Sequence, residues 1–157
     1  MRPLLAPLTA TLAACAITAA AARADVRPGA PAPDFTAVDS NGKQVSLSSF
    51  KGKTVVLEWT NHLCPYTAKH YDAQNMQSHQ KDAAAKGVVW LTIVSSAPGT
   101  QGHVSAKQAN ELTTSRKASP AAVLLDPEGK VGRLYAAKTT PHMFVINAAG
   151  SIVYMGA

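Results

Sequence analysis

Cysteine is almost missing from this chain of 157 residues, which has only Cys15 and Cys64. A fold held together by disulfides needs several paired cysteines, so a bridge-stapled scaffold is excluded. Clustered charge is missing too. The formal net charge is +6, but the lysines are scattered among acids, which argues against a nucleic-acid surface. No repeat or low-complexity tract is visible, and the most apolar N-terminal stretch is broken by Pro7 and several threonines. That stretch makes a poor permanent transmembrane helix.

What is present begins with targeting sequence. Arg2 gives a positive start, an alanine- and leucine-rich segment follows, and Ala22-Arg23-Ala24 supplies an A-x-A cleavage pattern. Residues 1–24 therefore read as a signal peptide, and export to a bacterial periplasm is expected. Leu12-Ala13-Ala14-Cys15 offers a rival, lipobox-like processing site that would leave Cys15 lipidated; only then is a membrane partner expected. Cleavage removes Cys15 and lipidation blocks it, so Cys64 is the one redox-capable thiol of the mature chain. Loss of Arg2 and Arg23 lowers the net charge from +6 to +4. Residues 25–157 suit one domain with a substantial core.

The segment KTVVLEWTNHLCPYTAKHY, Lys53 to Tyr71, carries the chemistry. Thr54 to Leu57 predict a strand buried on both faces, since a continuous β-branched run has no polar side to show solvent. Pro65 suits the first turn of a helix, where its missing N–H costs nothing. Cys64 then falls at the N-cap, where unpaired backbone N–H groups and the helix dipole favour thiolate. A free cysteine is otherwise commonly a small buried hydrophobe.

At these residues the chain resembles the thioredoxin superfamily, in particular its redoxin branch of alkyl hydroperoxide reductase and thiol-specific antioxidant proteins. Two alignments stand side by side. In one, Cys64-Pro65-Tyr66-Thr67 takes the place of C-P-Y-C, with Thr67 at the second cysteine and Glu58 at the buried acid that thioredoxins use as proton acceptor. In the other, Asn61-His62-Leu63-Cys64 stands for the peroxiredoxin T-x-x-C, with Asn61 replacing threonine and Leu57 replacing an upstream proline. Downstream, KTTPHMFVINAAGSIVYMG resembles the cis-proline segment and final hairpin, with Thr140-Pro141 as the cis bond. The resemblance implies that this loop lies against the sulfur and offers its backbone to extended substrates by strand addition. The place where peroxiredoxins carry a peroxide-holding arginine aligns with Pro141. PGAPAPDF, from Pro28, resembles the entry segment of redoxins.

The implied fold is α/β and thioredoxin-like, a central mixed sheet flanked by helices with an N-terminal hairpin extension. Phe35–Val38 and Gln44–Ser46 form the hairpin around the Asn41-Gly42 turn signal, and Leu47–Phe50 a short helical turn. One helix is predicted over Pro65–Lys86 with Gly87 as its C-terminal stop, and Tyr66, His70, Ala73, Met76 and Ala84 trace its core face. Val88–Val94 predicts a buried strand and Val104–Lys117 an amphipathic helix. Val123–Leu125 reads as a strand, Asp126 to Gly129 as its turn, Val131–Ala136 as a short helix, and 142–146 with 151–155 as the final hairpin. The family adds a helix after this hairpin. The sequence stops before one, so alternate residues of one set (Phe144, Ile146, Ile152, Tyr154) or the other (Met143, Val145, Val153, Met155) are expected to lack cover and favour self-association.

Function follows in three versions. In the first, Cys64 attacks a disulfide or a peroxide, Glu58 serves as proton acceptor, and Asn61, Pro65, Tyr66, Thr67, Thr140 and Pro141 support the site. No cofactor is called for. The resulting mixed disulfide or sulfenic acid needs a second thiol, so an external thiol or thioredoxin-like reductant is an expected partner. In the second, His62, Cys64 and His142 converge on copper(I), which suits soft ligands; the plainer expectation is that His62 is an exposed turn residue and His142 lies at the strand lip. In the third, a degenerate redoxin binds extended polypeptide without turnover.

Overall fold

The computed structural model describes residues 25–157; the expected signal peptide and Cys15 lie outside the described residues. Seven strands form one sheet: β1 (Thr36–Asp39), β2 (Gln44–Ser46), β3 (Val55–Trp59), β4 (Val89–Val94), β5 (Ala122–Leu125), β6 (His142–Ile146) and β7 (Ile152–Gly156). Their order is β2-β1-β5-β4-β3-β6-β7. β3, β4 and β5 run parallel, while β1, β2, β6 and β7 attach antiparallel. Four helices, α1 (Pro65–Asp72), α2 (Asn75–Ala85), α3 (Ala106–Ser115) and α4 (Lys130–Leu134), cover the faces, and Leu47–Phe50 is a 3-10 turn. This is the mixed, helix-flanked sheet with an N-terminal hairpin that the sequence predicts.

All five residues of β3 are buried, because the strand lies near the centre of the sheet with helices on both sides. Strand alternation divides its side chains. Val55, Leu57 and Trp59 enter the larger core with Leu91, Ile93, Tyr135 and Phe144. Val56 enters the opposite core with Tyr71, Met76 and Trp90, and by the same parity Glu58 points to that side. α3 seals a third cluster through Ala109, with Val104 just ahead of the helix, and a reciprocal capping box between Ser105 and Gln108 fixes its start.

The helix after Cys64 corrects the prediction: it is two helices, broken at Gln74 with φ +58°. The Gln77 side chain donates to the Tyr71 carbonyl at 2.9 Å, which also takes the Gln74 N–H at 3.0 Å, so α2 is tied back to the end of α1. The break also re-aims the buried face, which is Thr67, Tyr71, Met76, Gln77 and Gln80. Tyr66, placed on that face by sequence periodicity, is 71% exposed. Gly87 stops α2 with φ +70°, as expected of a C-terminal glycine.

The final hairpin has a bulge that the simple alternation misses. Phe144 pairs with Met155 but Ile146 with Ile152, with a register shift between Val145 and Ile146. An extra residue on one strand lets both Ile152 and Met155 turn to the core side. Phe144, Ile146 and Ile152 are therefore covered, and Val153 and Tyr154 are the exposed members of the two sets.

Candidate active site

Cys64 is the N-cap residue of α1, with extended backbone (φ −74°, ψ 124°) and Pro65 following in the first helical turn. The Cys64 N–H donates to the Asn61 carbonyl at 3.0 Å, and the Cys64 carbonyl accepts from Ala68 at 2.9 Å. Asn61 closes its own turn by accepting the Leu63 N–H at 2.9 Å. The chain thus turns sharply out of β3, and the thiol stands half-buried over the start of the helix.

The Thr140–Pro141 peptide is cis, and the Thr140 carbonyl accepts the Cys64 S–H at 3.0 Å. Residues 76 positions apart in sequence thereby meet at the sulfur. That carbonyl favours the protonated thiol. The Thr140 side chain, then the backbone N–H of Thr67, and more weakly those of Tyr66 and the Thr67 hydroxyl, favour thiolate against a small desolvation penalty; together they hold the Cys64 thiol below its ordinary value. Thr67 is fully buried, and its hydroxyl is too poorly placed on the sulfur to count as a hydrogen bond, leaving it without a partner.

Beneath this surface Glu58 is fully buried, one residue before the end of β3. The β3–β4 register pairs it with Thr92 and pairs Val56 with Trp90, so three polar groups of two strands share the face toward α1 and α2. Oε1 accepts from the Tyr71 hydroxyl at 2.9 Å. Oε2 accepts from Trp90 Nε1 at 2.8 Å, Thr92 Oγ1 at 3.1 Å and Gln80 Nε2 at 3.4 Å. Burial pushes the Glu58 carboxyl above its ordinary value, and these four donors offset the push only in part. Burial, with the Glu58 charge second, likewise raises the Tyr71 hydroxyl. No hydrogen bond joins Glu58 to Cys64; Tyr71, on α1, is the link between acid and helix.

Arg116 escaped the sequence reading. At the C-terminal end of α3 it donates to the His62 carbonyl at 3.1 Å, and its guanidinium sits 4.8 Å from the centre of the Tyr71 ring. One side chain therefore braces the loop before Cys64 and the ring that contacts Glu58. Only its place in the last turn of a predicted helix hinted at this. A second unforeseen contact lies at Gly102, φ +84°, where a Cβ would collide with the Asn61 side chain.

One histidine differs from expectation, while His142 opens β6 at the strand lip. His62 is half-buried rather than exposed, and burial, then Arg116, lower its basicity. His142 is buried, with its ring 4.6 Å from that of Phe144. Among the described residues no group of three or more His, Cys, Asp or Glu is placed to hold a metal ion, so the copper version finds no converged ligand set. The rim beside Cys64 is instead apolar and accessible: Leu63 is 54% exposed and Tyr66 71%.

A mixed sheet of this order, with an N-cap cysteine after a central strand and a cis-proline segment on its sulfur, defines a thioredoxin-like protein. A family model for the AhpC/TSA family matches residues 28–155, and the chain belongs to that family. It is 27% identical over 133 residues to the thiol-disulfide oxidoreductase ResA of Bacillus subtilis, covering 85% of this chain and 69% of that protein. Among solved structures, the exposed lipoprotein thioredoxin of Streptococcus pneumoniae is 27% identical with a TM-score of 0.62, covering 79% of this chain and 88% of that one. The thioredoxin domain of a thiol-disulfide oxidoreductase from Bacteroides vulgatus, 20% identical with a TM-score of 0.66 over 85% of this chain and 90% of that one, bears on the fold alone.

Proposed function

We propose that the chain is an exported thiol-disulfide oxidoreductase with Cys64 as its single nucleophile. The observation that carries this is the sulfur itself: an N-cap thiol held below its ordinary value and in contact with the Thr140 carbonyl. Thiolate attacks a substrate disulfide, giving a mixed disulfide and a leaving thiolate. The exposed Leu63 and Tyr66 rim and the backbone before Pro141 suit an extended polypeptide bearing that disulfide. No second thiol stands at Thr67, so an external thiol or thioredoxin-like reductant completes the cycle. Glu58 is the proposed proton acceptor, acting through the Tyr71 side of the helix rather than by direct contact.

Membership of the AhpC/TSA family favours a second electrophile, peroxide, whose attack by Cys64 gives sulfenic acid that an external thiol reduces. Export is supported by residues 1–24 and by the likeness to an exposed lipoprotein thioredoxin; N-terminal sequencing of periplasmic protein locates the cleavage site. Function is tested with Cys64→Ser in disulfide-exchange and peroxidase assays, and unchanged rates in both remove the proposal. Turnover by the wild type also separates an enzyme from a polypeptide binder that only traps clients. The pH dependence of alkylation should place the Cys64 midpoint below the free-thiol value of about 8.5; a midpoint at or above that value identifies a structural cysteine.

A further inference from the structure

A cleft of about 250 Å³ lies on the cis-proline side of the sulfur, lined by Asn61, Ser95, Ser96, Lys138, Thr139 and Thr140 among others. Thr140 belongs to both places, because its carbonyl holds the Cys64 S–H. Asn61 does too, since its carbonyl takes the Cys64 N–H. The lining contains one charged side chain, the exposed Lys138. Among the described residues the ion pairs are Arg27–Asp25, Lys107–Glu111 and Lys130–Glu128, so Lys138 has no acidic partner. Asp126 lies behind the cleft wall, but its carboxylate is buried and engaged by the Ser95 hydroxyl at 2.6 Å and the Gly132 N–H at 2.9 Å. The Lys138 N–H donates to His142 Nδ1 at 3.3 Å, which ties the lysine's backbone to the segment after Pro141.

We propose that this cleft receives the external thiol, and that the thiol is a small molecule bearing a carboxylate, which pairs with Lys138 while its sulfur attacks at Cys64. The inference rests on the oxidoreductase reading above and names the reductant that reading requires. The size of the cleft admits a small thiol, and its polar wall with one uncompensated cation selects an anion. The steps balance as follows. Cys64 thiolate opens the substrate disulfide, forming Cys64–S–S–substrate and a substrate thiolate. A first small thiolate attacks Cys64 Sγ, breaking that bond; the electron pair leaves on the second substrate sulfur, and both substrate sulfurs take protons. A second small thiolate attacks the small-thiol sulfur of the new mixed disulfide, forming the small disulfide and returning Cys64 thiolate. One substrate disulfide is reduced and two small thiols are oxidised.

The test loads Cys64 with 2,2′-dithiodipyridine, whose thiopyridyl group is neutral, and follows thiopyridone release by 3-mercaptopropionate, 2-mercaptoethanol and cysteamine. Each rate is expressed per thiolate and corrected for thiol basicity. At low ionic strength the anionic thiol should exceed the neutral one by about fivefold, and the cationic one should fall below it. The preference should fade with added salt, vanish in Lys138→Ala, invert in Lys138→Glu and survive in Lys138→Arg. Lys107→Glu, on the outer face of α3, changes the net charge as much as Lys138→Glu does and should leave the preference intact. An adduct that forms and reacts with all three thiols alike, or a preference indifferent to Lys138, overturns the cleft assignment while leaving Cys64 reactive. Failure to form any adduct overturns the reactivity of Cys64 and the cleft assignment with it.

Discussion

Glu58 is the sharpest place to perturb the molecule, because four donors converge on one buried carboxyl that has no lysine or arginine hydrogen-bonded to it. The donors are of two kinds. The hydroxyls of Tyr71 and Thr92 can rotate to accept as well as donate, but Trp90 Nε1 and Gln80 Nε2 can only donate. A protonated Glu58 fits if the proton sits on Oε1 facing Tyr71, with Oε2 still accepting from Trp90, Thr92 and Gln80. Glu58→Gln mimics that neutral form, its amide donating to Tyr71 and its carbonyl facing the two N–H groups, so it should fold. Glu58→Ala leaves Trp90 Nε1 buried without an acceptor, while Gln80 Nε2 keeps only the Tyr71 hydroxyl at 3.3 Å, so a loss of at least about 1–3 kcal/mol is expected before any cavity cost. That is a substantial part of the roughly 5–15 kcal/mol typical of a domain.

The pH dependence has a definite sign. Burial raises the folded carboxyl above its ordinary 4.5, so between 4.5 and the raised value the native state holds a proton that the unfolded state has lost. The contribution of Glu58 is then fully present below 4.5 and falls as pH rises through that window, by up to about 1.4 kcal/mol per pH unit. Urea unfolding of wild type and Glu58→Gln across that range isolates the effect, because other groups titrate alike in both. The difference, wild type minus variant, should decline with rising pH. A difference that grows with pH would mean that the four donors outweigh burial and that the carboxylate is the favoured native form, which refutes the reasoning.

Three further outcomes follow from single contacts. Arg116→Ala removes both the brace on the His62 carbonyl and the stack on Tyr71; it should cost about 1–3 kcal/mol in chemical unfolding and slow Cys64 alkylation, whereas Arg116→Lys should restore charge but not the planar stack. Gly102→Ala must move either the 102 loop or Asn61, and with φ at +84° it should lower Tm and change Cys64 alkylation; an unchanged protein would show that Asn61 has room to retreat. Thr67→Cys puts a second sulfur at a fully buried position whose hydroxyl already bears weakly on Cys64, so thiol counting after mild oxidation should find both thiols consumed and trapped clients reduced, and two free thiols would mean that the pair cannot close.

The parts legible in the sequence were those written in local pattern. β3 is a β-branched run, the N-cap cysteine is announced by Pro65, the first hairpin by Asn41-Gly42, and α3 by its amphipathic spacing. These devices act over a few residues and survive any tertiary context that keeps the chain soluble. The missed break at Gln74 fails for the opposite reason: Gln74 is an ordinary helix former, and the side chain that bridges the break is Gln77, which also donates to the Arg116 carbonyl at 2.8 Å. A contact to α3 helps anchor this junction, and a reading confined to residues 65–86 has no access to it.

The site divides along the same line. Cys64 and Thr140-Pro141 were found as motifs, but the environment of Glu58 was not, although its burial was foreseen. Parity within β3 separates Glu58 from Leu57 and Trp59, yet the donors that matter depend on register. Sliding β4 by one residue against β3 would set Leu91 or Ile93 beside Glu58 instead of Thr92, exchange the face of Trp90 and leave the carboxyl among aliphatic side chains. In-register pairing of two parallel strands joined only through α1 and α2 is thus what turns a glutamate in an apolar strand from a liability into the hub of a hydrogen-bonded cluster. Because Tyr71 and Gln80 enter that cluster from the two helices, the break at Gln74 serves it as well: it lets α1 present Tyr71 while α2 presents Gln80 to the same carboxyl. The cluster ties the sheet to the helix that carries Cys64, so the buried acid holds α1 in place through Tyr71.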